Sequence, residues 1–155
     1  MSSSMVPIVK QIYKILADNH DILNFQYPQG IAYGVQNLIP VTPFLVVTMN
    51  TVETDIHGAP QFQHKYLVEI IVFYSILQSV QDNYIESMEF AEAIQQILNS
   101  NSHLKDSNGN ALVTFGMVTK LATGIAAKDN NRTLYRTVTI SFEAISFEIM
   151  PNPTN

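Results

Sequence analysis

Two periodicities alternate along this chain. From Met5 to His20 the apolar residues Ile8, Ile12, Ile15 and Leu16 recur at helical spacing, while Lys10 and Lys14 sit one turn apart on another face. That pattern predicts an amphipathic helix, with Ser4 placed to cap it and Pro7 suited to its first turn. Residues 24–43 contain Pro28, Gly30, Gly34, Pro40 and Pro43, which predicts an irregular connection holding a short strand over 31–35. From Phe44 the period changes. Residues 44–51, rich in Val, Thr and Phe, read as a strand; a turn at 57–60 leads to a second strand over 62–77. In that strand Tyr66, Val68, Ile70, Val72, Tyr74 and Ile76 face one way, and Leu67, Ile71 and Phe73 face the other. Both faces are largely apolar, as in a central strand covered on both sides.

Helical spacing returns after a break at 78–83, where Ser79, Asp82 and Asn83 offer caps. Tyr84, Met88, Ala91, Ile94 and Leu98 form one stripe up to about Asn99, and Glu86, Glu89 and Glu92 line another face. A polar loop over 99–110 follows, then strands over 112–123 and 134–147 joined by the turn-like stretch 128–132. The order helix, strand pair, helix, strand pair predicts an α+β fold: a mainly antiparallel sheet with two helices packed on one face and a long C-terminal hairpin. The whole chain, 1–155, reads as a single domain with its core at about 6–148 and flexible tails at 1–5 and 149–155. At about 3.3 Å per residue, the last two strands reach about 40 Å. A domain of this size is only about 30 Å across, so part of that hairpin is expected to project and to dock on another chain.

Composition sharpens this picture. Only 14% of residues are charged, against about 25% in ordinary domains. The 13 Asn and 10 Gln outnumber the 8 basic and 13 acidic residues combined. An amide-rich surface is desolvated more cheaply than a charged one, so a partner covers it at modest cost. The net charge of -5 opposes specific nucleic-acid binding through phosphate neutralisation. The absence of Cys excludes disulfides, thiol catalysis and Cys-ligated zinc. The first residues lack the basic region and apolar run of a secretory signal, and the apolar stretch around 70–74 is too short to cross a membrane. Synthesis in the cytoplasm is therefore expected, and the sequon Asn131-Arg132-Thr133 reads as a polar turn.

Candidate chemistry is sparse. Glu53, Asp55 and His57 would share one face of an extended segment, and with His64 they make the one plausible metal cluster; a polar hairpin end is the favoured reading. Asp106 to Asn110 has a glycine at the fourth position of a would-be calcium loop and Met117 at the twelfth, so it is a turn. The row Glu86, Glu89, Glu92 is a solvated ridge near a helix start. No nucleophile elbow, phosphate loop or dinucleotide fingerprint occurs. Gly116 and Gly124 fall within strands, where a bulge or close backbone approach is the ordinary reason. No catalytic, cofactor or metal-binding residue is assigned, and the expectation is a protein that is not an enzyme. Lys120, Lys128, Arg132 and Arg136 gather on the last hairpin, opposite in sign to the helix over 82–92. That is either chance among few charges or a head-to-tail contact between copies that closes into a ring.

The order of these segments resembles the tail-terminator (tail-completion, neck) proteins of tailed bacteriophages. The resemblance rests on the amphipathic first helix, the Pro-flanked strand from Pro40 to Val47, and the long strand from Lys65 to Tyr74. The helix ending at 93–98 and the closing strand from Tyr135 to Phe142 complete it. It implies a structural virion protein, assembled in the host cytoplasm, that forms a ring, hexameric in that family. Such a ring caps the tail tube, ends tube polymerisation and provides the surface for head attachment. The implied partners are sister copies, the tail tube protein and the head–tail connector. Candidate contact residues are Glu53, Asp55, His57, Phe62, Glu86, Glu89, Lys120, Lys128, Arg132 and Arg136. The alternatives are another neck component such as a head–tail adaptor, or a small α+β ligand-binding domain or enzyme with a cavity near His64 and Tyr66.

Overall fold

The computed structural model describes residues 5–56, 61–76 and 80–149, the side chains of 80–83 and 148–149 excepted. Ser4, Ser79 and the 57–60 turn with His57 lie outside the described residues. The elements are α1 (Met5–Asp18), α2 (His20–Leu23), β1 (Ile31–Tyr33), β2 (Phe44–Ile56), β3 (Gln61–Ser75), α3 (Val80–Asn99), β4 (Phe115–Lys128) and β5 (Thr133–Ile149). The strands form one sheet in the order β1-β2-β3-β5-β4. The β1–β2 pair is parallel and the other three are antiparallel. The fold is mixed α+β, with a five-stranded, mostly antiparallel sheet and three helices.

Local chemistry explains where the boundaries depart from the expected ones. The first helix breaks at Asn19, whose side-chain amide donates to the Ile15 carbonyl at 2.7 Å and so competes with the backbone ladder. The short α2 then ends at Asn24, which takes the left-handed conformation at φ 61°, as Asn does more readily than most residues. The third helix begins at Val80, before the break expected up to Asn83. Strand β2 continues to Ile56, five residues past the expected end, because β3 pairs with it as far as Ile56↔Phe62. Strand β4 is displaced toward the C-terminus, since 105–112 folds into a turn of its own closed by Lys105↔Ala111.

The main core joins Ile8, Ile12 and Leu16 of α1 and Ala91, Ile94 and Leu98 of α3 to one set of alternating strand positions. Those positions include Val68, Ile70 and Val72 on β3 and Val138, Ile140 and Phe142 on β5. The opposite set forms a smaller cluster of Phe44, Val46, Phe73 and Tyr135, with Ile39 and Val41 packed on it. The proline-rich segment is thus the cover that the apolar second side of β3 required. Less of that side is left for a partner than the hydrophobic pattern implied, because Gln61, Gln63, Lys65 and Glu69 share it farther along β3. Loop 100–114 is also not purely polar in role: Leu104 is fully buried in the main core.

Candidate interaction surface

One end of the sheet has no layer over it. Strand β2 is buried from Phe44 to Val47, and every residue from Asn50 to Ile56 is exposed. A register shift between Met49 and Thr51 marks the change, and such a bulge bends the strand it sits in. Beyond it β2 still pairs with β3, and β3 with β5, out to Gln61↔Ile149. The exposed strand of this overhang is β2, and the paired residues 61–65 of β3 are half-buried. The expectation that the last strand pair projects fails for β5, whereas β4 is exposed or half-exposed from Thr119 to Lys128. Buried residues run along β5 from Tyr135 to Ser146, and the 129–132 turn is tied down where the Asp129 N–H donates to the Asn37 carbonyl at 3.0 Å.

Strand register sorts the overhang into two faces. Glu53 pairs with Lys65 and Asp55 with Gln63, on the side that also carries Ile145, Phe115 and Met117. Thr54 and His64 pair on the other side, their Oγ1 and Nδ1 3.0 Å apart. Glu53 and Asp55 do share one face, as their spacing predicts, but His64 stands on the opposite one. Among the described residues no three metal-ligating side chains come together. Asp106 likewise acts as a turn residue: its Oδ1 accepts from the N–H groups of Asn108 and Asn110 at 2.9 Å.

The charged groups are few and mostly occupied. Lys65 Nζ lies 2.9 Å from Glu143 Oε1. The hydrogen bond from Lys65, aided by one from Thr119, lowers the Glu143 pKa, and the bond to Glu143 raises that of Lys65. Lys128 sits over the Phe73 ring at 5.5 Å and Arg136 over the Tyr84 ring at 5.1 Å. Two of the four basic residues assigned to an interface are therefore engaged within their own chain. Lys120 and Arg132 are exposed. Glu86 and Glu89 are exposed as well and rim a hollow of about 270 Å³ with Phe90 and Tyr74. Burial, followed by the Glu86 charge, raises the Tyr74 pKa. Phe62 is half-buried on the His64 side of the overhang.

Sequence reasoning missed a second apolar feature. A hollow of about 350 Å³ opens between α1 and the β1–β2 edge, lined by Met5, Val6, Val9, Tyr33, Met49 and Lys10. Tyr33 stacks on Tyr13 with ring centroids 4.4 Å apart; burial comes first among the causes that raise both phenols' pKa values. The exposed Val6, off the buried stripe of α1, and the exposed Met5 at the start of that stripe were the available signal. The Lys65–Glu143 pair had none, because its partners are 78 positions apart and meet only through the β3–β5 register.

No family model matches this sequence, and no curated protein matches it. A solved structure, known only by a sequence label, superposes on 96% of this chain and 99% of its own with a TM-score of 0.50 and 16% identity. That likeness is one of fold.

Proposed function

We propose that this chain is a structural assembly protein of the tail-terminator kind, forming a ring that caps a phage tail tube. The finer architecture belongs to this reading: α1 and α3 cover one face of the sheet, and β4 with β5 forms a C-terminal hairpin along the wall of the ring. The observation that carries it is the overhang, where seven consecutive residues of β2 stay in the sheet yet are exposed. Paired strands with no layer beneath them gain little from burial, and a small sheet needs such a layer to be stable. A neighbouring copy or a tube subunit supplies it. Low charge density supports the same reading, because covering amides costs less than covering ions. In this reading the chain has no catalytic role and no cofactor, and it works in the virion neck.

The test is the molar mass by light scattering after size exclusion, with and without tube protein, together with negative-stain images of the particles. A ring-sized species supports the proposal, and a monomer that persists with tube protein present overturns it. Binding to the portal rather than to tube ends would make the chain a head–tail adaptor. The 350 Å³ apolar hollow favours a second reading, a small-ligand binder; saturable binding of an apolar fluorescent probe, lost in Val9→Glu, would support it.

A further inference from the structure

The sheet ends in two free edges whose directions, charges and offset match each other. On one side β4 is the outermost strand. Its Val118 N–H is taken by the Asn99 Oδ1 at 2.8 Å, and its far end is held where Asp129 meets Asn37. Between those points, residues 119–127 have no strand on their outer side among the described residues. On the other side β1 covers β2 only at Leu45–Val47, so β2 is bare from Asn50 to Ile56. Long uncovered edges are templates for another strand.

We propose that the β4 edge of one copy pairs, antiparallel, with the bare β2 edge of the next copy, setting Lys120 beside Glu53 and Asp55. This rests on the ring reading above and names its subunit contact. Three antiparallel pairings separate β2 from β4, so the two strands run in opposite directions. Copies placed side by side with their sheets continuous must therefore meet antiparallel. The register also puts the charges on one face. Lys120 is level with Thr48 through Ser141 and Glu69, and Glu53 and Asp55 lie on that same side of β2. All three are exposed; Glu53 and Asp55 feel the Lys65 charge on the neighbouring strand, and Lys65 itself is held by Glu143.

The offset needed also gives a strand tilt usual in closed sheets. Within one copy, Lys120 aligns with Glu69 of β3, whereas Glu53 aligns with Lys65 and Asp55 with Gln63. Bringing Lys120 opposite either acid shifts the neighbour by about four to six rungs, or about 13–20 Å at ~3.3 Å per residue. The four strands from β2 to the neighbour's β2 are about 19 Å wide at ~4.8 Å per strand. The resulting strand tilt is about 35–45°, the range in which sheets close on themselves. A head-to-tail contact makes a ring when the rotation between copies closes, and this tilt is compatible with closure.

Exposed charges can be exchanged without touching the core, and the lack of native Cys makes cross-linking clean. The wild type, Lys120→Glu, the pair Glu53→Lys with Asp55→Lys, and all three changes together are compared by light scattering at equal concentration. Lys120→Glu and the double change should each raise the concentration needed for assembly at least tenfold, and the triple change should restore it. Lys120→Cys combined with Glu53→Cys or Asp55→Cys should give a disulfide-linked ladder of chains on mild oxidation. If the wild type assembles, Lys120→Glu assembles equally well and no ladder forms, this contact is refuted while the ring reading stands. If the wild type stays monomeric with tube protein present and the cysteine variants stay unlinked, both fall.

Discussion

Gly116 offers the sharpest test of the packing. It lies in β4 opposite Ala144, and a Cβ built on it would meet two atoms of the Phe142 ring at 2.5 and 2.6 Å. Carbon atoms in contact prefer about 3.5–4.0 Å, so Gly116→Ala demands that the ring move by about 1 Å. Phe142 is fully buried in the main core, so moving its ring means displacing packed neighbours. Overpacking of this kind costs about 1–3 kcal/mol. Against it stands the gain from a stiffer unfolded chain, about 0.4–1 kcal/mol for Gly→Ala where the backbone allows alanine; Gly116 has no positive φ to forbid it. The net expectation is a loss of about 1–2 kcal/mol, read as a lower urea midpoint with unchanged slope. Gly124→Ala is the internal control. Its added methyl would meet only the Thr137 hydroxyl at 3.2 Å, which can rotate aside, so that variant should stay within about 0.5 kcal/mol of the wild type. Phe142→Leu should partly rescue Gly116→Ala, giving a coupling of at least about 0.5 kcal/mol in the double-mutant cycle. All variants are compared at one low protein concentration, because self-association raises apparent stability. A Gly116→Ala protein as stable as the wild type would refute the argument.

Two further outcomes follow from side chains that only the folded structure brings into play. Leu104→Ala should cost about 2–4 kcal/mol in urea unfolding, since it empties a fully buried site, while Lys105→Ala next to it should change little; equal, small effects would remove the loop from the core. Glu143 has its pKa lowered from the ordinary 4.5, first by the hydrogen bond from Lys65. Its contribution is therefore present above about pH 4.5 and is lost as pH falls through the lower folded value. Glu143→Gln should flatten the urea midpoint across that acid range, and an unchanged acid slope would show that the ion pair contributes nothing. Lys65, with its pKa raised above 10.5, contributes fully below that value and loses its share only as pH rises beyond it.

The glycine result also shows how far sequence reasoning reached. A glycine inside a strand pattern predicts a close approach, and Gly116 has one; the ring that approaches it, Phe142, could not be named from 26 positions away. Alternation within 62–77 located one strand because side chains on a strand must take turns between two faces, and the Val, Thr and Phe content of 44–51 located another. The helical stripe ending at Leu98 was legible for the equivalent reason at a period of 3.6. The acidic pair Glu53 and Asp55 was placed on one face correctly by the same rule.

What the amino-acid order determined was local: which stretches are helix or strand, which side of each is apolar, and how little charge the surface carries. These follow from periodicity and side-chain chemistry that each segment holds by itself. What covers what was decided only by the tertiary structure. The proline-rich segment shelters Phe73, Leu104 plugs the core from a loop rich in polar residues, and β2 beyond its bulge and β4 beyond Val118 are left uncovered while β5 is buried. Lys128 and Arg136 are drawn onto aromatic rings while Lys120 is left at a bare edge. Each of these depends on strand order and register, which join residues tens of positions apart, and no local pattern encodes the contact until the sheet has formed.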